Sequence, residues 1–174
     1  MQTEELVRST LKFEGRIIKV RVDEVRIPDG SIVIREVVVH RGAVGILPIM
    51  DNKVLLVRQY RHPVGEVLWE IPAGIFGEGE TPEECAIREL REETGLFPLN
   101  LVRLGEVFVS PGCSTEKIYL FYADKFKSDP LPKDEDENIE VGEFDIDTFR
   151  DMIEEGKIRD GKTLASFCLY LLKR

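Results

Sequence analysis

The chain is poor in cysteine, in amide side chains and in positive charge. Three cysteines (Cys85, Cys113, Cys168) make an odd count with no Cys-x-x-Cys spacing. That argues against a disulfide framework or a thiolate zinc site and fits a reducing, cytoplasmic compartment. Lys and Arg number 24 against 33 Asp and Glu, so the net charge is −9 and the pI is about 4.9. So acidic a chain does not hold nucleic acid through bulk charge, although a cation can still bring a nucleotide to it. No apolar run approaches the ~18 residues that span a membrane, and the opening MQTEELVRST has no signal-peptide character. Amides are confined to Gln2, Gln59, Asn52, Asn100 and Asn138 while 33% of the chain is charged, a balance that leans towards a heat-adapted protein. What is present suffices for a core. The 174 residues are 43% hydrophobic, which excludes a wholly disordered chain and suits one domain's length.

The first forty residues read as strands. Residues 16–27 alternate apolar and polar positions, then switch phase at Asp23–Glu24. Pro28-Asp29-Gly30 supplies turn chemistry and residues 31–40 return, which predicts a β-hairpin. Residues 43–50 are almost continuously apolar, Asp51-Asn52 is a turn, and residues 53–60 pair back. Such runs predict strands buried on both faces. Further strand-like pieces fall at 101–109, 117–123 and 138–144. Three helices are legible. The first starts at Thr81-Pro82-Glu83-Glu84, a capping box with proline at the first helical position, and Gly95 ends it. The second runs from a cap at Asp147 to Glu155, before Gly156. The third covers roughly 162–172, with Leu164, Cys168, Leu169 and Leu172 in one stripe. Without strict βαβ alternation, the mixture favours an α+β arrangement: a mixed sheet with helices packed on its faces.

The segment that carries chemistry is residues 74–96, GIFGEGETPEECAIRELREETGL. At ~100° per residue, Glu92 and Glu93 flank Glu89 on one helical face. Three crowded carboxylates repel, and Arg88, four residues before Glu92, offsets only part of that charge. Hard divalent ions suit the remainder, and Mg²⁺ also pairs with substrate phosphates. Gly74, Gly77 and Gly79 permit a tight loop ahead of the helix. Pro72-Ala73-Gly74 can aim a backbone carbonyl at the same ion. Read by itself, RELREE is a solvated acidic face. The full pattern is more specific: Gly74, five residues, Glu80, seven residues, then Arg88-Glu89-Leu90-x-Glu92-Glu93-x-Gly95-Leu96.

This pattern resembles, at all nine fixed positions, the signature of the Nudix hydrolases, enzymes that cleave diphosphates linked to another moiety using Mg²⁺ or Mn²⁺. The resemblance implies a Nudix-type α/β/α sandwich around a mixed sheet, with the N-terminal antiparallel β-hairpin (residues 1–40) preceding a catalytic domain (41–174). It implies Ala73 (by its carbonyl), Glu89, Glu93 and Glu137 as metal ligands, with Glu92 supporting them. It casts Arg88 and Glu80 as a brace between loop and helix. Pro111, fifteen residues after Leu96, resembles a proline of the ADP-ribose pyrophosphatase subgroup, as do residues 58–74 and 134–141. By that resemblance Arg35, Arg61 and Pro111 bind substrate, and a water is deprotonated by Glu135, or else by Glu137 or Glu92. The implied reaction converts ADP-ribose to AMP and ribose 5-phosphate. Alternatives are another nucleoside diphosphate sugar, such as a GDP-sugar, or a sensing module without turnover. Family likeness of the hairpin implies a homodimer, with a small-molecule nucleoside diphosphate derivative as ligand and neither nucleic acid nor membrane as partner. Trp69 reads as a packing anchor, Cys85 as buried and inert, and His40 and His62 carry no assigned chemistry.

Overall fold

The structure, a computed structural model, describes residues 3–132 and 138–173. The chain forms two compact units. One comprises the residues up to Gly42 together with Phe108–Lys117, and the other Ala43–Val107 with the remainder from Ile118.

The first unit is a three-stranded antiparallel sheet in the order β1 (Glu5–Glu14), β2 (Ile18–Arg26), β3 (Ile32–His40). The expected hairpin is the β2–β3 pair, in unbroken register from Ile18 opposite His40 to Arg26 opposite Ile32. Gly30 sits at φ 91°, and Asp29 Oδ1 accepts the Ser31 N–H at 2.8 Å, which closes the turn. The phase switch at Asp23 has a simple cause. Asp23 points inward, is 4% exposed, and is satisfied by the Ser9 hydroxyl (2.6 Å) and Arg21 (3.0 Å). Strand β1 enlarges the hairpin to a sheet. Two register shifts interrupt its pairing, between Leu6 and Arg8 and between Leu11 and Phe13, so its apolar residues follow no period of two. The segment Phe108–Lys117 is stitched to β3. The Val38 N–H donates to the Cys113 carbonyl at 2.7 Å, and the Thr115 N–H donates to that of Val38 at 2.9 Å.

The second unit holds β4 (Ala43–Met50), β5 (Lys53–Arg61), β6 (Glu66–Glu70), β7 (Ala73–Ile75), α1 (Pro82–Thr94), β8 (Leu96–Phe108), β9 (Lys117–Ser128), β10 (Ile139–Asp145), α2 (Ile146–Glu154) and α3 (Gly161–Leu172). Its sheet runs β10-β5-β4-β9-β8, with β6 against β5 and β7 against β4. Strand β4 is parallel to β9 and antiparallel to β5 and β7, so the sheet is mixed. The apolar run of β4 serves two faces by simple alternation. Val44 and Ile46 pack with Cys85, Ala86 and Leu90 of α1. Ala43, Leu47 and Ile49 pack with Phe149, Met152, Phe167 and Tyr170 of α2 and α3. One helix on one face and two on the other make the expected α/β/α sandwich.

The cap of α2 lies two residues earlier than its sequence suggests. Asp145 occupies the cap position without a side-chain cap bond, and Asp147 lies in the first turn. Strand β10 pairs with β5 up to Asp145 opposite Lys53, and the Asn52 carbonyl takes the Ile146 N–H at 3.0 Å. A tertiary carbonyl thus does the work a capping side chain would do. Trp69 is a packing residue, edge-on to Phe144 with ring centroids 5.0 Å apart. Among the described residues no helix is long and apolar enough to cross a membrane.

Candidate active site

The site is built where β7 meets α1. The Thr81 hydroxyl accepts the Glu84 N–H, the Glu84 carboxylate accepts the Thr81 N–H at 2.9 Å, and Gly95 closes the helix at φ 77°. This fixes where α1 begins and therefore the azimuth of Glu89, Glu92 and Glu93. Strand β7 lies beside β4, with Ala73 opposite Gly45 and Gly74 opposite Val44. The geometry explains why Gly74 is glycine. A Cβ there would lie 1.9 Å from the Glu89 carboxylate carbon, so only a residue without one lets that carboxylate lie against the strand.

Arg88 ties the loop to the helix. Its Nε and Nη2 donate to the two Glu80 oxygens at 2.8 and 2.9 Å, a bidentate pair. Its Nη1 donates to Glu89 (2.7 Å) and Glu92 (2.8 Å), and Nη2 also reaches the Ile75 carbonyl at 3.1 Å. Glu80 in turn accepts the Gly77 N–H at 2.8 Å, so the glycine loop closes onto the same carboxylate. The Arg88 hydrogen bond holds the Glu80 carboxyl below its ordinary range, and Glu80 in turn pushes the Arg88 guanidinium up. Burial pushes the neighbouring Cys85 thiol far up, so it carries no thiolate chemistry.

Glu93 is 3% exposed and accepts the Ala73 N–H at 3.1 Å. Pro72, just before, gives its carbonyl to the Ile46 N–H at 2.9 Å. The Pro72–Gly74 segment is therefore held by β4 on one side and α1 on the other. The arrangement brings together five of the expected residues: Ala73, Arg88, Glu89, Glu92 and Glu93. Among the described residues no three acidic, histidine or cysteine side chains stand as a metal cage, and Arg88 engages both Glu89 and Glu92. The donors themselves fit a hard divalent ion, being carboxylate oxygens.

The remaining expected residues lie elsewhere. Arg61, at the end of β5, makes a bidentate pair with Glu70 at 2.8 and 2.9 Å. Arg35, on β3 in the first unit, pairs with Glu4 at 2.5 Å. Pro111 lies in the same unit, in the turn where Ser110 accepts from the Cys113 and Ser114 N–H groups. Glu135 and Glu137 fall outside the described residues. Sequence reasoning passed over Glu70, Lys162 and Asp160. Glu70 is 1% exposed, bound by both Arg61 and Lys162, and Lys162 meets Asp160 at 3.0 Å. The available signal was a glutamate inside the apolar stretch Leu68-Trp69-Glu70-Ile71, which demands a buried cation.

Comparison with known proteins places this geometry in a family. Residues 39–167 match the model of the NUDIX domain, and residues 4–38 match that of the nucleoside diphosphate sugar hydrolase N-terminal domain. The chain is 36% identical over 154 residues to the ADP-ribose pyrophosphatase of Bacillus subtilis (strain 168), covering 87% of this chain and 83% of that protein. It is 38% identical over 164 residues to the methanol dehydrogenase activator of Bacillus methanolicus, covering 92% and 89%. The fold resembles the crystal structure of an ADP compounds hydrolase, with a TM-score of 0.87 at 22% identity over 99% of this chain and 94% of that one. With the family model spanning most of the chain and the signature running from β7 through its loop and α1 to the first residue of β8, the protein belongs to the Nudix hydrolases, a family that generally uses divalent metal ions.

Proposed function

We propose that the protein hydrolyses the diphosphate linkage of ADP-ribose, with Mg²⁺, to give AMP and ribose 5-phosphate. The observation that carries the reading is the unbroken Glu80–Arg88–Glu89–Glu92 network closing on Ala73–Gly74, in a chain similar along its length to an ADP-ribose pyrophosphatase. Glu89, Glu93, the Ala73 carbonyl and Glu137 would hold the ion. When bound, it offsets diphosphate charge and makes a water more acidic. Arg88 keeps Glu89 and Glu92 oriented, and Glu93 is steadied by the Ala73 amide. Arg61 and Arg35 offer fork-shaped guanidinium groups to phosphate or ribose oxygens, and Pro111, by the family resemblance, is a further substrate-binding residue. Glu135 takes the proton of the attacking water, because a carboxylate bound to a cation is a weak base. Glu135→Gln should lower kcat by roughly 10²–10⁴-fold with little change in KM.

The same reading includes a C₂ homodimer formed through the N-terminal sheet. Its support is strand β1, an edge strand exposed almost throughout yet carrying Leu6, Val7, Leu11 and Phe13. The deciding experiment for the activity is hydrolysis with Mg²⁺ across a panel of ADP-ribose, GDP-mannose, NAD⁺ and a nucleoside triphosphate. ADP-ribose should give the highest kcat/KM, with AMP and ribose 5-phosphate as products. A higher value for any other panel member, or binding without turnover, would displace the assignment.

A further inference from the structure

Four charges alternate in sign across the second unit, from Arg61 through Glu70 and Lys162 to Asp160. Only Arg61 among them is substantially open, its side chain 37% exposed against 2% for Glu70, 11% for Lys162 and 15% for Asp160. Burial alone would raise the Glu70 carboxyl, yet Arg61 and Lys162 together hold it below its ordinary range, so it remains an anion between two cations. Glu93 as well as Asp160 adds to the field on the Arg61 guanidinium, whose principal partner is Glu70.

The same turn of α3 also grips the backbone. Asp160 caps the helix by accepting the Thr163 N–H at 3.0 Å and the Thr163 hydroxyl at 2.5 Å. The Thr163 oxygen then accepts the Ile71 N–H at 2.9 Å. Residues 71, 72 and 73 are thus bonded in succession by α3, β4 and α1. Such ionic chains add little stability over apolar packing of equal volume, but they fix one geometry. The cluster would fix the direction of Arg61.

We propose that Lys162 is a positioning residue for substrate: by sharing the Glu70 carboxylate it sets where Arg61 presents its guanidinium to the diphosphate or ribose. With Lys162 gone, Glu70 keeps one cation instead of two, and the carboxylate that aligns the Arg61 fork loses its anchor to α3. The proposal rests on the role given to Arg61 under the proposed function.

The test is a double-mutant cycle read by equilibrium binding of ADP-ribose to the intact protein in EDTA, where no turnover occurs. Lys162→Met and Arg61→Ala should each weaken binding about 10-fold, and the double variant should be little weaker than Arg61→Ala alone. Lys162→Gln carries the same cycle if Lys162→Met fails to fold. Thermal midpoints of the single and double variants confirm that each is folded. Independent losses that multiply to about 100-fold in the double variant would overturn the proposal, because a merely structural lysine acts equally with or without Arg61. So would unchanged binding in a folded Lys162 variant. Failure of the functional reading looks different: the parent itself does not bind ADP-ribose, or Arg61→Ala binds as the parent does, and the proposal then falls with it.

Discussion

Gly74 shows how a single hydrogen atom decides the site. A methyl group there would overlap the Glu89 carboxylate, which is the far end of a flexible side chain and can swing away. Gly74→Ala should therefore leave the fold intact, with a change in stability of no more than about 1 kcal/mol, yet lower kcat by roughly 10²-fold. Circular dichroism and steady-state rates separate the two effects, and full activity in the variant would mean that Glu89 is not needed where it lies. Glu93→Gln belongs to the same scale. It keeps the size of a side chain that is 3% exposed but removes its charge, so turnover should fall on the order of 10²-fold or more. Glu80→Gln should be milder, since Glu80 touches Arg88 and Gly77 and acts through them. Rates for both variants across a Mg²⁺ titration are the check.

At the scale of elements, the join of β6 to α3 carries a pH dependence. Glu70 is the last residue of β6, and Arg61 and Lys162 hold its carboxyl below the ordinary value of 4.5 against the opposing effect of burial. A depressed carboxyl contributes stability that is complete above the unfolded pKa and is lost as pH falls through the folded one. Glu70→Gln should be less stable than the parent at pH 7, by about 3 kcal/mol if the two cations are left uncompensated. The gap should close progressively below roughly pH 4. Urea midpoints at pH 7 and pH 3.5 measure it, and a gap that widens in acid would contradict the assignment. Elements also show where local reading succeeds. The cap of α1 was legible because Thr81, Pro82, Glu84 and Gly95 act within the helix's own ends. The start of α2 was not, because its first N–H is met by Asn52, more than ninety residues away in sequence.

At the scale of the whole molecule, the sheet of β1, β2 and β3 leaves Leu6, Leu11, Phe13 and Ile34 each more than half exposed. If that surface joins two copies, Leu11→Asp should convert a dimer into a monomer at micromolar concentration, and sedimentation velocity will show it. A parent that sediments as a monomer with full activity would remove the dimer from the proposed function.

The sequence by itself determined the Nudix signature, the azimuth of three carboxylates on one helix, and the strands buried on both faces. Each of these is set by near neighbours or by a short period: a capping box, a 3.6-residue turn, an apolar run of eight. Only the tertiary structure decided that Glu89 needs Gly74 to lack a Cβ, and that Arg88 binds Glu80, Glu89 and Glu92 at once. Only the fold puts Lys162 on the same carboxylate as Arg61, across a separation of about a hundred residues. The physical reason is the same throughout. A buried charge must find its partner wherever the chain has folded, and nothing in the residues beside it says which partner that will be.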